Sequence, residues 1–178
     1  VVIAPTGVVK SFALVHLGAE ALKQGKNVVH YPLELRDKVV AQRYDACLTG
    51  YDLNELLERK DDIFEKIKAV DGQLIVKEYP TKSISTVALK GHLEKVRQNQ
   101  MEIDMVIVDY GDLLRGSSPS SEKRHELESI YEELRGLAQE FNCPLVTASQ
   151  TNREGLNEEV ITMKSISEAY SKCFVADF

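Results

Sequence analysis

An α/β fold, a mostly parallel sheet with helices on both faces, is predicted by three observations. Short β-branched apolar runs alternate with helical stretches along the 178 residues. Those runs are nearly continuous in apolar character, as suits strands buried on both faces. The segments richest in Gly, Ser and polar residues directly follow strands, where α/β proteins place their ligands.

The expected strands are Val1–Ala4, Val28–Leu33, Leu74–Glu78, Met105–Asp109 and Leu145–Ser149, with a last one near Phe174–Ala176. A helix is expected from Ser11 to Gly25, because glycine suits the residue after a helix C-terminus. Asp52-x-x-Glu55 has capping-box form and predicts the opening of another helix. Leu127, Ile130, Tyr131, Leu134, Leu137, Ala138 and Phe141 recur at helical spacing, so residues Glu122–Phe141 are expected to form an amphipathic helix on the sheet. Tyr110–Ser121 and Thr151–Val160 read as loops. One domain accounts for residues 1–178, read as a stretch cut from a longer domain at both ends.

Apolar residues make up 43% of the chain and charged ones 28%, the proportions of an ordinary soluble domain. A formal charge of −6 argues against a bulk electrostatic grip on nucleic acid, leaving local basic loops for any such contact. Cys47, Cys143 and Cys173 form no CxxC pair, and His16, His30, His92 and His125 lack metal-ligand spacing. Reduced thiols and an intracellular setting follow.

Chemistry concentrates at strand ends. Ala4-Pro5-Thr6-Gly7-Val8-Val9-Lys10-Ser11 lies between a strand and a helix, the context a phosphate-binding loop requires. In such a loop backbone amides face the phosphates, the lysine reaches the outer ones and the hydroxyl helps to hold Mg²⁺. Pro5, Thr6, Gly7, Val8, Val9, Lys10 and Ser11 are therefore the candidate nucleotide-binding residues. Val9 departs from the pattern, which has glycine before the lysine. A β-branched residue is stiff and tolerates positive φ poorly, so weakened nucleotide binding is expected. The plainer alternative is a strand–turn–helix with an incidental Lys-Ser.

Met105–Asp109 is an apolar strand ending in a carboxylate that can orient water on Mg²⁺. Ser11 and Asp109 are thus the candidate metal residues. Val28–Leu33 is followed by Glu34, a candidate to polarise an attacking water, unless it merely favours the next helix N-terminus. Leu145–Ser149 is followed by Gln150, which suits hydrogen bonding to a γ-phosphate. Tyr31, Tyr44, Tyr51 and Tyr170 suit either adenine stacking or core edges, the latter being commoner. His30 reads as a core histidine and Asp112 as a solvated loop residue rather than a Mg²⁺ ligand. Glu122, Glu126, Glu132 and Glu133 read as a solvated helix face.

The order phosphate loop, strand-Glu, strand-Asp, strand-Ser-Gln resembles the RecA superfamily of ATPases. In detail, Leu33-Glu34, Val108-Asp109-Tyr110 and Ser149-Gln150-Thr151-Asn152-Arg153 resemble the motifs of DnaB-type replicative helicases of bacteria and phages. The resemblance implies a RecA-like P-loop NTPase core using ATP and Mg²⁺, with Glu34 and Gln150 as catalytic residues. It implies a parent that is a hexameric ring translocating on single-stranded DNA. It also implies that the loops Gly111–Arg124 and Asn152–Val160 face that DNA, through Arg115, Lys123, Arg124 and Arg153; the alternatives are a solvated helix start for Lys123 and Arg124 and the nucleotide site for Arg153. An arginine finger from a neighbouring subunit is implied as well, beyond the Ser-Gln strand. A filament-forming recombinase, a clock-type ATPase and a non-hydrolysing assembly factor are the alternatives left open.

Overall fold

The computed structural model describes residues 1–4, 9–116, 123–150 and 175–177. Five parallel strands form one sheet: β1 (Val2–Ala4), β2 (Val28–Pro32), β3 (Leu74–Val76), β4 (Met105–Asp109) and β5 (Leu145–Gln150), in the order β1-β5-β4-β2-β3. The described helices are α1 (Lys10–Lys23), α2 (Asp37–Thr49), α3 (Lys60–Lys68), α4 (Thr86–Gln98) and α5 (Lys123–Phe141).

The strand side chains divide between two cores, because successive residues of a strand point to opposite faces. On one face Val29, Tyr31, Val106 and Val108 pack with Leu89 and Leu93 of α4 and Leu127, Ile130 and Leu134 of α5. On the other, Val28, Ile107 and Ala148 pack with Leu14, Val15, Ala19 and Leu22 of α1 and Val40 and Tyr44 of α2. Helices on both faces are therefore observed, as the continuous apolar strands imply.

The close approach of α1 to α2 depends on Gly18. A β-carbon there would lie 2.2 Å from the Tyr44 hydroxyl and 3.0 Å from Ile107 Cδ1. Tyr44 is buried, and its hydroxyl pairs with His30 Nδ1 at 2.9 Å. His30 is the core histidine expected. Burial without charge compensation pushes its pKa down to about 3, so the ring is neutral.

Several expectations are corrected. Asp52-x-x-Glu55 makes one capping-box bond, Asp52 N–H to Glu55 Oε2 at 3.1 Å, yet it opens only turns, and α3 starts at Lys60. Leu53, Leu56 and Leu57 in that stretch stand at helical spacing, but only Leu56 is buried, Leu53 and Leu57 being exposed, so too little apolar surface is covered to hold a helix there. Near the end, Val175 is helical and Ala176 and Asp177 are irregular, so no strand runs through them; Phe174 lies outside the described residues. Strand β3 stops at Val76, two residues before Glu78, while β5 runs one residue further than expected, to Gln150. Gly25, at φ 73°, follows α1 as anticipated. On α5, Glu126 and Glu133 are not simply solvated. Glu126 accepts from the Gly116 amide at 2.9 Å, and Glu133 accepts from Thr86 and from Ser129. Cys47 and Cys143 are free thiols, as expected; Cys173 lies outside the described residues.

Candidate functional site

All strands run the same way, so their C-terminal ends share one edge of the sheet. Register fixes which residues meet there: Ala4 pairs with Gln150, and Pro32 with Asp109. The Leu33 amide donates to the Asp109 carbonyl at 2.8 Å, so Glu34 leaves the sheet beside Asp109. Lys10 is the first residue of α1, which starts at the same edge after β1.

Lys10 is buried. Burial lowers the pKa of its amine, while Glu34, Asp109 and Asp112 each oppose that shift with negative charge. The amine thus sits in the field of three carboxylates from two separate strand exits. Asp109 has both carboxylate oxygens enclosed and without a hydrogen-bond partner among the described residues. Burial raises its pKa, and Glu34 adds to the rise; the Ser11 hydroxyl, Arg43 and Lys10 act against it. The Ser11 hydroxyl is near enough to favour the ionised form without satisfying either oxygen geometrically. An orphaned buried carboxylate is costly unless a partner arrives. Beside a hydroxyl and an ammonium, that partner fits a hydrated Mg²⁺ carried by phosphates. Among the described residues no group of three or more His, Cys, Asp or Glu is arranged to enclose an ion alone.

Glu34 is exposed in the bend after β2. It does not cap α2, whose N-cap is Arg36 and whose first amide, that of Asp37, donates to Glu78 Oε2 at 3.0 Å. Gln150 donates from Nε2 to the Tyr110 hydroxyl at 2.7 Å. Burial, with Glu34, Asp112 and Asp109 nearby, pushes that hydroxyl's pKa up to about 12.

At Val9 the expected left-handed backbone is absent. Its φ is −10° and ψ 22°, its side chain is 61% exposed, and its carbonyl accepts from the Ala13 amide at 3.0 Å as α1 begins. Pro5, Thr6, Gly7 and Val8 lie outside the described residues, as do Arg153, the loop Thr151–Val160, Tyr170 and Glu122. Arg115 and Arg124 are exposed; the Lys123 side chain is not among those described. The loop after β4 is more ordered at its start than expected. A 3₁₀ turn occupies Gly111–Leu113, and Arg115 bridges Ser85, its amide donating to the Ile84 carbonyl at 2.9 Å.

Sequence reasoning missed three residues. Arg43, on α2, holds its guanidinium 3.9 Å over the Phe12 ring and brings positive charge to Asp109. No motif spacing marks it, although Val40 and Tyr44 on either side are buried. Tyr110 enters the sequence pattern only as part of a motif. Asp112 is half-buried rather than simply solvated: it accepts from the Tyr131 hydroxyl at 2.7 Å and from Ser149 Oγ at 3.3 Å. Of the tyrosines, Tyr31 and Tyr44 are core residues, and Tyr51 packs on the surface beneath Arg59 and Lys66.

Lys10 at the head of α1, with Glu34, Asp109 and Gln150 at strand ends along one edge of a parallel sheet, gives an α/β core of RecA-like fold. The chain belongs to the DnaB-like helicase C-terminal domain family, whose model matches residues 1–160. It is 28% identical over 190 residues to a DnaB-like replicative helicase of Enterobacteria phage T4, covering 100% of this chain and 40% of that protein. It is 24% identical over 155 residues to the replicative DNA helicase DnaB of Helicobacter pylori, covering 84% of this chain and 32% of the relative. The chain therefore spans well under half of the curated relatives it matches. Its fold matches the solved structure of a DnaB-like replicative helicase, a protein that interacts with primase, at a TM-score of 0.84 and 13% identity, over 99% of this chain and 46% of that one. Among the described residues no helix is long and apolar enough to cross a membrane.

Proposed function

We propose that the chain is the ATPase core of a replicative DNA helicase of a bacterium or phage, coupling ATP hydrolysis to translocation on single-stranded DNA within a hexameric ring. The observation that carries the nucleotide site is the buried Asp109 carboxylate, close to Ser11 and Lys10 and with neither oxygen satisfied by a hydrogen bond of good geometry among the described residues. Lys10 neutralises the outer phosphates, and Ser11 with Asp109 holds the hydrated metal. Mg²⁺, when bound with ATP, supplies charge neutralisation of the phosphates. Glu34 stands exposed on the same edge and accepts the proton of the attacking water. Gln150, at the end of β5, hydrogen-bonds the γ-phosphate and changes partner when that group leaves. The family and the relatives support the DNA part of this reading; Arg115, Lys123, Arg124 and Arg153 are the cations it assigns to the strand.

The test is ATP turnover by the full-length protein, with and without single-stranded DNA. The wild type should hydrolyse ATP and be stimulated by DNA. Glu34→Gln should lower turnover by about 10²–10⁴-fold, the usual worth of a general base, with nucleotide affinity near wild type. Turnover unaffected by this substitution removes Glu34 from the chemistry. A wild type without turnover makes the chain a scaffold.

A further inference from the structure

Strands β4 and β5 are paired through their backbones only as far as Val108 and Thr147. Beyond that point side chains take over. Thr147 Oγ1 donates to the Val108 carbonyl at 2.8 Å and accepts from the Gly111 amide at 2.9 Å. One step further out, Ser149 Oγ donates to Asp112 Oδ2 at 3.3 Å, and Gln150 Nε2 donates to the Tyr110 hydroxyl at 2.7 Å. The other Asp112 oxygen accepts from Tyr131 of α5 at 2.7 Å, and that hydroxyl also lies 3.2 Å from the Ala148 carbonyl. Residues 110 and 112 of one strand exit are thus tied to residues 150 and 149 of the next. The tie is anchored on a tyrosine of a third element, which is itself buried.

This arrangement has a physical logic. Ser149 and Gln150 are still held on their other side by Ile3 and Ala4 of β1, so it is the β4 edge of β5 that lacks backbone pairing and is free to open. Side-chain bonds to a charged acceptor, roughly twice as strong as neutral ones, suppress that freedom. We propose that Asp112, held by Tyr131, is a positioning residue: it fixes Ser149, and through it the neighbouring Gln150 carboxamide, against the turn that follows Asp109. The negative charge of Asp112 also reaches Lys10, so the same carboxylate lies within the electrostatic field of the nucleotide site. The consequence rests on the helicase reading above. The two strand exits, each leading into a loop assigned there to DNA, are displaced together when Gln150 changes partner.

The experiment uses the full-length protein and two readouts. Asp112→Ala removes both acceptors; Ser149→Ala cuts the tie but leaves Tyr131 and Asp112 paired. Hydrogen exchange should rise at the Ser149 and Gln150 amides by about tenfold in Asp112→Ala, equivalent to some 1.4 kcal/mol, while those of Val146 and Thr147 stay protected. DNA-stimulated kcat should fall by about tenfold or more, since small misplacement of a reacting constellation is costly, with KM for ATP within about twofold. Ser149→Ala should shift both readouts in the same direction and less far, and it decides the matter if Asp112→Ala does not fold. Asp112→Asn, which keeps one acceptor oxygen, should recover part of kcat. Unchanged exchange at residues 149 and 150 overturns the proposal, and so does raised exchange with unchanged kcat. If the wild type shows no DNA-stimulated turnover, the helicase reading fails by itself, and the exchange measurement alone decides the tie.

Discussion

At the scale of single residues, Val9 shows how a motif mismatch should be weighed. Glycine precedes the lysine in most phosphate loops because the chain must pass close to a phosphate and can need angles that a β-carbon disfavours. Here the backbone at Val9 is not left-handed, the side chain turns outward, and Lys10 already lies in the field of Glu34, Asp109 and Asp112. The route to weaker binding through a left-handed valine is therefore absent. Val9→Gly in the full-length protein should change ATP–Mg²⁺ affinity by less than about threefold, well short of the 1.4 kcal/mol that makes one decade. Stability should hardly change, because the entropy glycine gains on unfolding is offset by its better fit than valine at a helix N-cap. Calorimetric titration and a thermal midpoint measure the two effects. A tenfold tightening would show that valine does obstruct the phosphate.

Between elements, the packing that sets the nucleotide edge is α1 against α2, since α1 carries Lys10 and Ser11 and α2 carries Arg43. Gly18 permits it. An added methyl would push on the Tyr44 hydroxyl, and Tyr44 cannot retreat without leaving His30, whose Nε2 already has no partner among the described residues. Overpacking costs about 1–3 kcal/mol and a lost buried hydrogen bond about 1 kcal/mol more, against a gain of about 1 kcal/mol in helix propensity. Gly18→Ala should therefore destabilise by about 2 kcal/mol in urea unfolding. Gly136→Ala is the control: its β-carbon would meet nothing within 4 Å on α5, so propensity alone should stabilise. Equal effects at the two positions would mean that α1 and α2 separate easily. None of this is legible in the sequence. Periodicity identifies an apolar helix face, but a small residue on it signals close approach only when the opposing side chain is known. The same limit explains Asp52-x-x-Glu55. Its local bond forms, but with Leu56 alone buried among its three leucines it yields a turn rather than a helix.

For the whole molecule, the strand-end residues were readable because a parallel sheet brings the ends of distant segments to one edge. Order along the chain thereby becomes proximity in space. Glu34, Asp109 and Gln150 were found that way, whereas Arg43, Tyr110 and Asp112 reach the edge from a helix and from a turn, where no period marks them. Global charge carries a further consequence. A chain of net charge −6 repels a polyanion at long range, so any grip on DNA must come from local cations and must weaken steeply with salt. Arg115 and Arg124 are exposed on either side of the stretch that follows β4, and Lys123 adjoins Arg124 at the start of α5. Neutralising Arg115, Lys123 and Arg124 together in the full-length protein should weaken single-stranded DNA binding without regard to sequence. Every phosphate no longer neutralised should flatten the plot of log affinity against log salt by about 0.7, so three phosphates amount to a slope change of about 2. Fluorescence anisotropy with an oligothymidine and with a mixed-sequence strand, across a salt series, measures both effects. ATP affinity without DNA should stay within about twofold, because none of the three belongs to the strand-end cluster around Lys10. A triple variant whose salt slope matches wild type would place the DNA elsewhere on the molecule. A loss confined to one sequence would mean that these side chains read bases rather than hold the backbone.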